Sequence, residues 1–216
     1  FRSKRPRPVH ISIPIDIQAK PVSANWEPIQ TPTFPKVNED DLLKAISLIN
    51  ESKKIVFILG GGSRDAGEEV SKLVDNLGAV VITTTAGKGV IDDNHPLVIS
   101  GGTVRAEARD YLSKADLIIA VGTEMAETDN YVGKYSINGK IIRVDIDRRK
   151  INDNYQATVG LVGDAKEIIQ ELNAKLNNSV SQEQLESVRN TVTVIKRQIE
   201  ENLTKSEKRH RSEEHT

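Results

Sequence analysis

Apolar segments alternate regularly with amphipathic segments along the middle of the chain. Runs of apolar, mostly β-branched residues predict strands at 54–59, 79–83, 116–121, 140–145 and 158–162. Apolar residues at helical spacing predict helices at 38–49, 66–77, 105–113 and 165–177. Fully apolar strands that alternate with one-sided helices are typical of a parallel sheet that is covered on both faces. The pattern therefore predicts an α/β fold with a doubly wound, Rossmann-like parallel sheet.

Local signals predict where two of these helices begin and end. Asn38 is a favourable N-cap, and carboxylates at 39–41 suit the positive end of the helix dipole. Gly78 follows the apolar face of the next helix and predicts a left-handed stop. We therefore expect a self-sufficient domain to begin near Val37.

The segments before and after this region have different patterns. Residues 9–17, VHISIPIDI, alternate as a strand does, whereas 18–36 carries four prolines and is typical of a linker. Residues 179–216 lack Gly and Pro and carry apolar residues three and four apart, which predicts a helix docked on a neighbour. We therefore predict that residues 1–17 end a preceding domain with its last strand and that 18–36 is a linker. We expect residues 37–178 to form a central domain and 179–216 to form a linker helix.

Composition narrows the range of partners. Lys and Arg total 30 and Asp and Glu total 31, so a net charge of -1 gives no overall attraction to nucleic acid or anionic membranes. The longest apolar runs, such as 55–59 and 117–121, are far shorter than the roughly 18 residues of a membrane span. Cysteine is absent, which excludes disulfides and thiolate chemistry and favours a reducing compartment. We expect a cytoplasmic protein.

Glycine and small hydroxyl residues follow the predicted strands, at 60–63, 83–89, 100–103, 122–123 and 163–164. The carboxyl ends of parallel strands share one edge of the sheet, where glycines let a phosphate approach the backbone, so these loops predict a nucleotide site. Tight turns also require glycine, so each loop alone fits a purely structural role. Asp145 ends a strand; we expect it to be exposed, and it could bind a ribose or cap the next turn.

The specific nucleotide and catalytic motifs are incomplete. A G-x-G-x-x-G pattern starting at Gly60 would need glycine in place of Asp65, and a phosphate loop would need Ser or Thr in place of Gly89. The histidines lie at no metal-ligand spacing, and His95 fits a turn better than a general base. The sequence therefore predicts no catalytic or metal-binding residue.

Six longer motifs follow one another along the chain. They are PVHISIPIDI at 8–17, KKIVFILGGG at 53–62, LGAVVITTTAGKGVIDDNHPL at 77–97, ADLIIAVGTE at 115–124, KIIRVDID at 140–147 and VGLVGDA at 159–165. In this order they resemble the central domain of thiamine diphosphate-dependent enzymes of the acetolactate synthase and 2-oxo acid decarboxylase group. The run VGTEMAETDNY resembles the branch that decarboxylates guanidino-type 2-oxo acids.

The resemblance implies that different domains have different functions. In the family, thiamine diphosphate and magnesium lie between the first, pyrimidine-binding domain and the third, pyrophosphate-binding domain of two subunits. The resemblance thus assigns 1–17 to the end of a pyrimidine-binding domain, directs 179–216 toward a pyrophosphate-binding domain, and implies a homo-oligomer. It implies a non-catalytic central domain of an enzyme that decarboxylates or condenses 2-oxo acids. The alternative is a stand-alone module that binds FAD or ADP, or a scaffolding module.

Some members of the family bind FAD across this domain, and others bind ADP or nothing. Carried over by position, the nucleotide contacts fall on Gly61, Gly62, Thr85, Gly87, Gly122, Thr123, Asp145, Ile146 and Asp164. Glu124 stands where flavin-binding synthases usually carry an arginine, so a pyrophosphate would lose its cation and meet a like charge. The resemblance therefore predicts a colourless protein with a weakly bound adenine nucleotide as the plausible ligand.

Overall fold

The computed structural model describes residues 8–27, 36–99, 101–129, 133–177 and 179–213. Its α-helices are α1 Ile15–Gln18, α2 Glu39–Glu51, α3 Gly67–Leu77, α4 Ala106–Ser113, α5 Ala165–Lys175 and α6 Gln182–Glu213. Its strands are β1 Ile55–Leu59, β2 Val80–Thr83, β3 Val98–Ile99, β4 Leu117–Val121, β5 Lys140–Asp145 and β6 Val159–Val162. Much of the predicted linker, at 28–35, and Ser100 of the loop at 100–103 lie outside the described residues.

The strands form one parallel sheet in the order β3-β2-β1-β4-β5-β6. The chain winds outward from β1 to β3 and then returns to place β4 on the other side of β1, so the winding reverses between β1 and β4. The predicted doubly wound parallel sheet is confirmed. Only β3 is missing from the predicted strands, because a strand of two residues is too short to show a period.

Helices α2, α3 and α5 cover one face of the sheet, which we call the three-helix face. Apolar side chains at alternate strand positions, such as Phe57 and Ile119, pack there in one cluster with residues of these helices. Asn38 accepts a hydrogen bond from the backbone N–H of Asp41 at 3.1 Å, and Gly78 has a φ of 56°. The predicted N-cap and left-handed stop are therefore both present.

Helices α4 and α6 cover the opposite face, which we call the two-helix face. Val192, Ile195 and Ile199 of α6 are buried in one cluster with Val80 and Ile99. The β2 to β3 connection contains only a short 3-10 helix, Thr85–Gly87, so α6 packs beside β3 where a crossover helix would otherwise lie. The predicted helix forms, and it docks on this domain itself. Among the described helices, none combines the length and apolar character that a bilayer span requires.

The strand predicted over residues 9–17 does not form. Residues 8–14 have no regular secondary structure, α1 is a single turn, and every side chain from 8 to 27 is exposed. A strand needs a partner, and no other described segment pairs with this one. The assignment of residues 1–17 to a preceding domain, and the predicted domain boundaries, stay predictions.

Candidate nucleotide-binding edge

The nine predicted nucleotide contacts lie along the carboxyl-terminal edge of the sheet. They end or follow five of the six strands, at 61–62 after β1, 85–87 after β2, 122–123 after β4, 145–146 at β5 and 164 after β6. Gly62 and Thr85 are exposed, and Gly61, Gly122, Ile146 and Asp164 are partly exposed. Gly87, Thr123 and Asp145 are buried. The nine residues thus lie at one edge of the sheet, and three of them lie beneath its surface.

Backbone hydrogen bonds join neighbouring loops into a continuous surface at this edge. They run from Thr84 N to Leu59 O at 2.9 Å, Gly60 N to Val121 O at 2.9 Å, Gly62 N to Gly122 O at 3.0 Å, Gly122 N to Val144 O at 2.8 Å and Gly163 N to Asp145 O at 3.1 Å. These bonds extend the sheet ladder past the strands. Backbone hydrogen bonds therefore fix the relative geometry of the loops.

The loops after β1 and β4 are in direct backbone contact where the winding reverses. Gly122 has a φ of 59°, and a Cβ atom there would lie 2.4 Å from the carbonyl carbon of Gly62. A Cβ atom on Gly62 would lie 2.8 Å from the Cα of Gly122. Glycine is thus required at both positions by packing alone, and the same packing forms a backbone floor that a ligand could approach.

Asp145 has a different environment from the one predicted. Its side chain is 2% exposed, so the expectation of an exposed carboxylate is wrong. The residues after β5 turn over it, and its Oδ1 accepts a hydrogen bond from the backbone N–H of Asp147 at 2.9 Å. The turn-capping role that the sequence left open is therefore present, whereas the ribose contact stays a prediction. Asp164 is also a cap, because it accepts from the N–H groups of Lys166 and Glu167.

Glu124 lies beside a cation that the sequence did not suggest. Its Oε2 is 3.5 Å from Nζ of Lys150, which also contacts Asp153 at 2.5 Å. The hydrogen bond between them raises the pKa of Lys150 and lowers the pKa of Asp153. The loop after β4 thus presents a paired carboxylate, which weakens the predicted repulsion of a pyrophosphate.

Arg143 is the residue at this edge that the sequence reasoning missed. Its side chain is 1% exposed, and its guanidinium donates to the carbonyl oxygens of Thr123 at 2.7 Å and Asp153 at 2.8 Å. It therefore ties the loop after β4 to the loop after β5. Two residues after Thr123, Met125 has a left-handed φ of 50°, an unusual conformation for a residue with a side chain. A lone charge inside the apolar run IIRVD was the available signal.

The edge therefore offers backbone groups, hydroxyls and carboxylates in a fixed arrangement, which suits binding of a polar ligand. Among the described residues, no three His, Asp or Glu side chains group closely enough to hold a metal ion.

Comparisons with known proteins agree with this architecture. Residues 42–172 match the sequence model of the family described as "Thiamine pyrophosphate enzyme, central domain". The chain is 39% identical over 178 residues to the "Probable 2-ketoarginine decarboxylase AruI" of Pseudomonas aeruginosa, covering 82% of this chain and 32% of that protein. It is 34% identical over 197 residues to the "Probable acetolactate synthase large subunit" of Methanococcus aeolicus, covering 85% and 33%.

A solved structure shows the same fold in a larger protein. The "X-ray structure of a putative thiamin diphosphate-dependent enzyme isolated from Mycobacterium smegmatis" superposes with a TM-score of 0.68 at 20% identity, covering 84% of this chain and 36% of that one. The chain spans about a third of the length of the curated relatives it matches. It belongs to the thiamine pyrophosphate enzyme family and constitutes the central domain of that family.

Proposed function

We propose that this chain is the non-catalytic central domain of a longer enzyme that decarboxylates or condenses 2-oxo acids. The observation that carries the proposal is the match of 42–172 to the central-domain family, together with relatives named as a decarboxylase and as acetolactate synthases. A stand-alone nucleotide-binding or scaffolding module is less favoured, because the relatives are about three times as long as the matched region.

In the proposed enzyme, thiamine diphosphate would supply the chemistry that stabilises a carbanion at the former carbonyl carbon of the 2-oxo acid, with magnesium as its proposed partner. The residues of this chain would hold the flanking domains. The alternating apolar residues of 9–17 are exposed, which supports their pairing with a preceding domain. We further propose a homo-oligomer and, since cysteine is absent, a cytoplasmic location.

We propose ADP rather than FAD as the ligand of the carboxyl-terminal edge. The continuous loop surface and the backbone floor at Gly62 and Gly122 support a nucleotide there. By the family resemblance, Glu124 occupies the position of the cation that pairs with a flavin pyrophosphate. The nearby ammonium of Lys150 is already paired with the carboxylates of Glu124 and Asp153. ADP brings a diphosphate to the same loop, so we expect weak binding, but it lacks the isoalloxazine and ribityl groups and so needs a shorter stretch of the edge than the flavin dinucleotide.

The test compares the longer protein that contains this chain with the 216-residue chain itself, both supplied with thiamine diphosphate and Mg²⁺. We expect the longer protein to release CO₂ from 2-ketoarginine or to form acetolactate from pyruvate, and the two assays separate the two reaction types. We expect the 216-residue chain to do neither and to be colourless. Turnover of any 2-oxo acid by the 216-residue chain would contradict the non-catalytic role, and inactivity of the longer protein would contradict the proposed reaction.

A further inference from the structure

A groove of about 540 Å³ lies between α4 and α6 on the two-helix face. Lys54 precedes β1, so the groove reaches the amino-terminal ends of the strands, opposite the edge described above. Tyr111 of α4 and Ile195 of α6 lie on its two sides. The remaining lining residues are Ala106, Glu107, Asp110, Lys114, Thr191 and Gln198. The groove thus combines an aromatic ring, an aliphatic side chain and a cation.

The other charged residues of the groove have partners. Lys114 binds Asp110 at 2.6 Å, and Glu107 accepts a hydrogen bond from Asn202 at 2.5 Å. The ammonium of Lys54 instead lies 3.9 Å from the centre of the Tyr111 ring. Within the described part of the chain, it has no hydrogen bond and no carboxylate within 4 Å. Lys54 is therefore the cation of the groove that can accept an anionic ligand.

The environment of Lys54 disfavours its charge. Burial lowers the pKa of its ammonium, and the neighbouring Lys114 lowers it further, while Asp110 and Asp116 act in the opposite direction from a distance. The Tyr111 ring compensates in part, because its face attracts a cation. A ligand that brings one negative charge to the ammonium would replace the hydrogen bonds that burial removes.

We propose that the groove between α4 and α6 binds a small carboxylate with a short apolar chain, the carboxylate on Lys54 and the chain between Tyr111 and Ile195. Lys54 supplies one positive charge, and the carboxylates of Glu107 and Asp110 line the same groove. The groove therefore suits a ligand with one negative charge better than a phosphate dianion. The partly exposed Tyr111 ring explains the preference for an apolar chain, since the ring loses water when the chain binds, and Ile195 lines the other side of the groove. This proposal does not depend on the proposed function of the longer enzyme.

The position of the groove gives such a ligand a consequence for α6. A carboxylate that touches Lys54, Tyr111 and Ile195 bridges the segment before β1, α4 and α6. A ligand that binds only when α6 is docked stabilises the docked state by mass action. Because α6 continues beyond the docked residues toward the carboxyl terminus, the ligand would set how firmly the domain holds that helix.

The first experiment titrates the ¹⁵N-labelled chain with 3-methylbutanoate and with its neutral isostere, 3-methylbutanamide. We expect the carboxylate to shift amide signals at 54, 106–114 and 191–198, and the amide to bind at least about tenfold more weakly because a charged hydrogen bond is lost. This comparison needs no variant, so it remains valid whatever a substitution does to folding. Equal affinity of the two compounds, or shifts elsewhere, would overturn the proposal.

The second experiment uses Lys54→Met, with Lys72→Met as the matched control on the three-helix face, where Lys72 binds Glu68. We expect Lys54→Met to weaken 3-methylbutanoate binding at least about tenfold and Lys72→Met to leave it unchanged. We also expect the carboxylate to slow hydrogen exchange of residues 185–199 in the unmodified chain. Unchanged binding by Lys54→Met, or unchanged exchange in α6 at saturation, would overturn the assignment.

Discussion

The two faces of the sheet are covered by different means. On the three-helix face, α3 connects β1 to β2, α2 precedes β1 and α5 follows β6, so each helix is adjacent in sequence to a strand of the sheet. The two-helix face has α4, which connects β3 to β4, and takes its second helix from α6, which is separated from the last strand by α5 and lies outside the family match at 42–172. The boundary of the family match is therefore not the boundary of the hydrophobic core.

The two faces also differ in polar content. The cluster on the three-helix face is built from aliphatic residues and Phe57. On β5, Ile142 and Val144 point to that cluster, so Arg143 and Asp145 point to the other face, where Tyr135 and Tyr155 stack at 5.5 Å. The two-helix face thus carries the buried charge and the groove at Lys54. Apolar packing dominates one face, and polar interactions contribute more to the other.

Removal of α6 should have the largest effect. A chain that ends at residue 180 loses Val192, Ile195 and Ile199, each of which is worth about 1.5–3 kcal/mol when buried. We expect a loss of about 5 kcal/mol or more, enough to abolish a cooperative thermal transition in a marginally stable domain. The matched control ends at residue 206 and retains these contacts, so it should melt like the full chain. Cooperative melting of the shorter chain at the same temperature would show that the two-helix face is stable without α6.

Gly122→Ala should cause the second-largest loss of stability. The new methyl group would lie 2.4 Å from backbone atoms of Gly62 at a positive φ, so backbone strain and steric overlap both contribute, and we expect a loss of about 3 kcal/mol or more. Gly89→Ala is the control, because Gly89 also has a positive φ, 84°, but nothing lies within 4 Å of its Cβ position. Chemical denaturation should place its loss near 1 kcal/mol. Equal losses would mean that the contact between the two loops relaxes freely.

Arg143→Met tests whether the two-helix face depends on its buried charge. The substitution leaves the carbonyl oxygens of Thr123 and Asp153 without this donor, and we expect a loss of about 2–3 kcal/mol by urea denaturation. The neighbouring substitution Ile142→Val on the three-helix face should cost about 1 kcal/mol. Hydrogen exchange should also rise together in the loops at 122–129 and 146–155 of the arginine variant. A loss no larger than that of Ile142→Val would contradict the role of Arg143 in joining these loops.

Asp145→Ala separates a structural from a ligand-binding carboxylate. The buried side chain caps the turn to Asp147, so we expect the ligand-free variant to lose about 1 kcal/mol or more. If the carboxylate also binds a ribose, ADP should raise the melting temperature of the unmodified chain and not that of the variant. Asp116→Ala is the control, since its carboxylate also accepts from backbone N–H groups, those of Lys53 and Lys54, but lies at the opposite edge of the sheet. Equal ADP shifts in the unmodified chain and Asp145→Ala would exclude the ribose contact.

The smallest effect concerns alkaline pH. Burial raises the pKa of the Tyr111 hydroxyl above its model-peptide value of about 10, so the unfolded chain loses this proton at lower pH than the folded chain. The contribution of the protonated Tyr111 hydroxyl to the free energy of unfolding is complete below pH 10. It is lost as pH rises through the pKa of the folded state. As pH rises from 10 to 12, the free energy of unfolding of Tyr111→Phe should therefore fall less than that of the unmodified chain, measured by urea denaturation. An identical pH dependence would show that the hydroxyl is not protected in the groove.

Local patterns predicted the elements of the three-helix face and the layout of the candidate site. The runs that became β1, β4 and β5 and the signals at Asn38 and Gly78 depend on neighbours within a few residues, so the sequence alone contains them. The loops followed directly, because the carboxyl ends of parallel strands must share one edge. Local patterns also carried the family resemblance, which the comparisons confirmed.

The amino-acid sequence by itself determined five of the six strands, the parallel sheet, the glycine-rich edge and the family of this domain. Only the tertiary structure decided that residues 9–17 find no partner strand here, that α6 docks on its own domain, that Asp145 is buried, and that Arg143 joins two loops. Each of these outcomes depends on which distant segment lies beside the residue. Periodicity along the chain reports which side of an element is apolar, and the folded arrangement determines what that side meets.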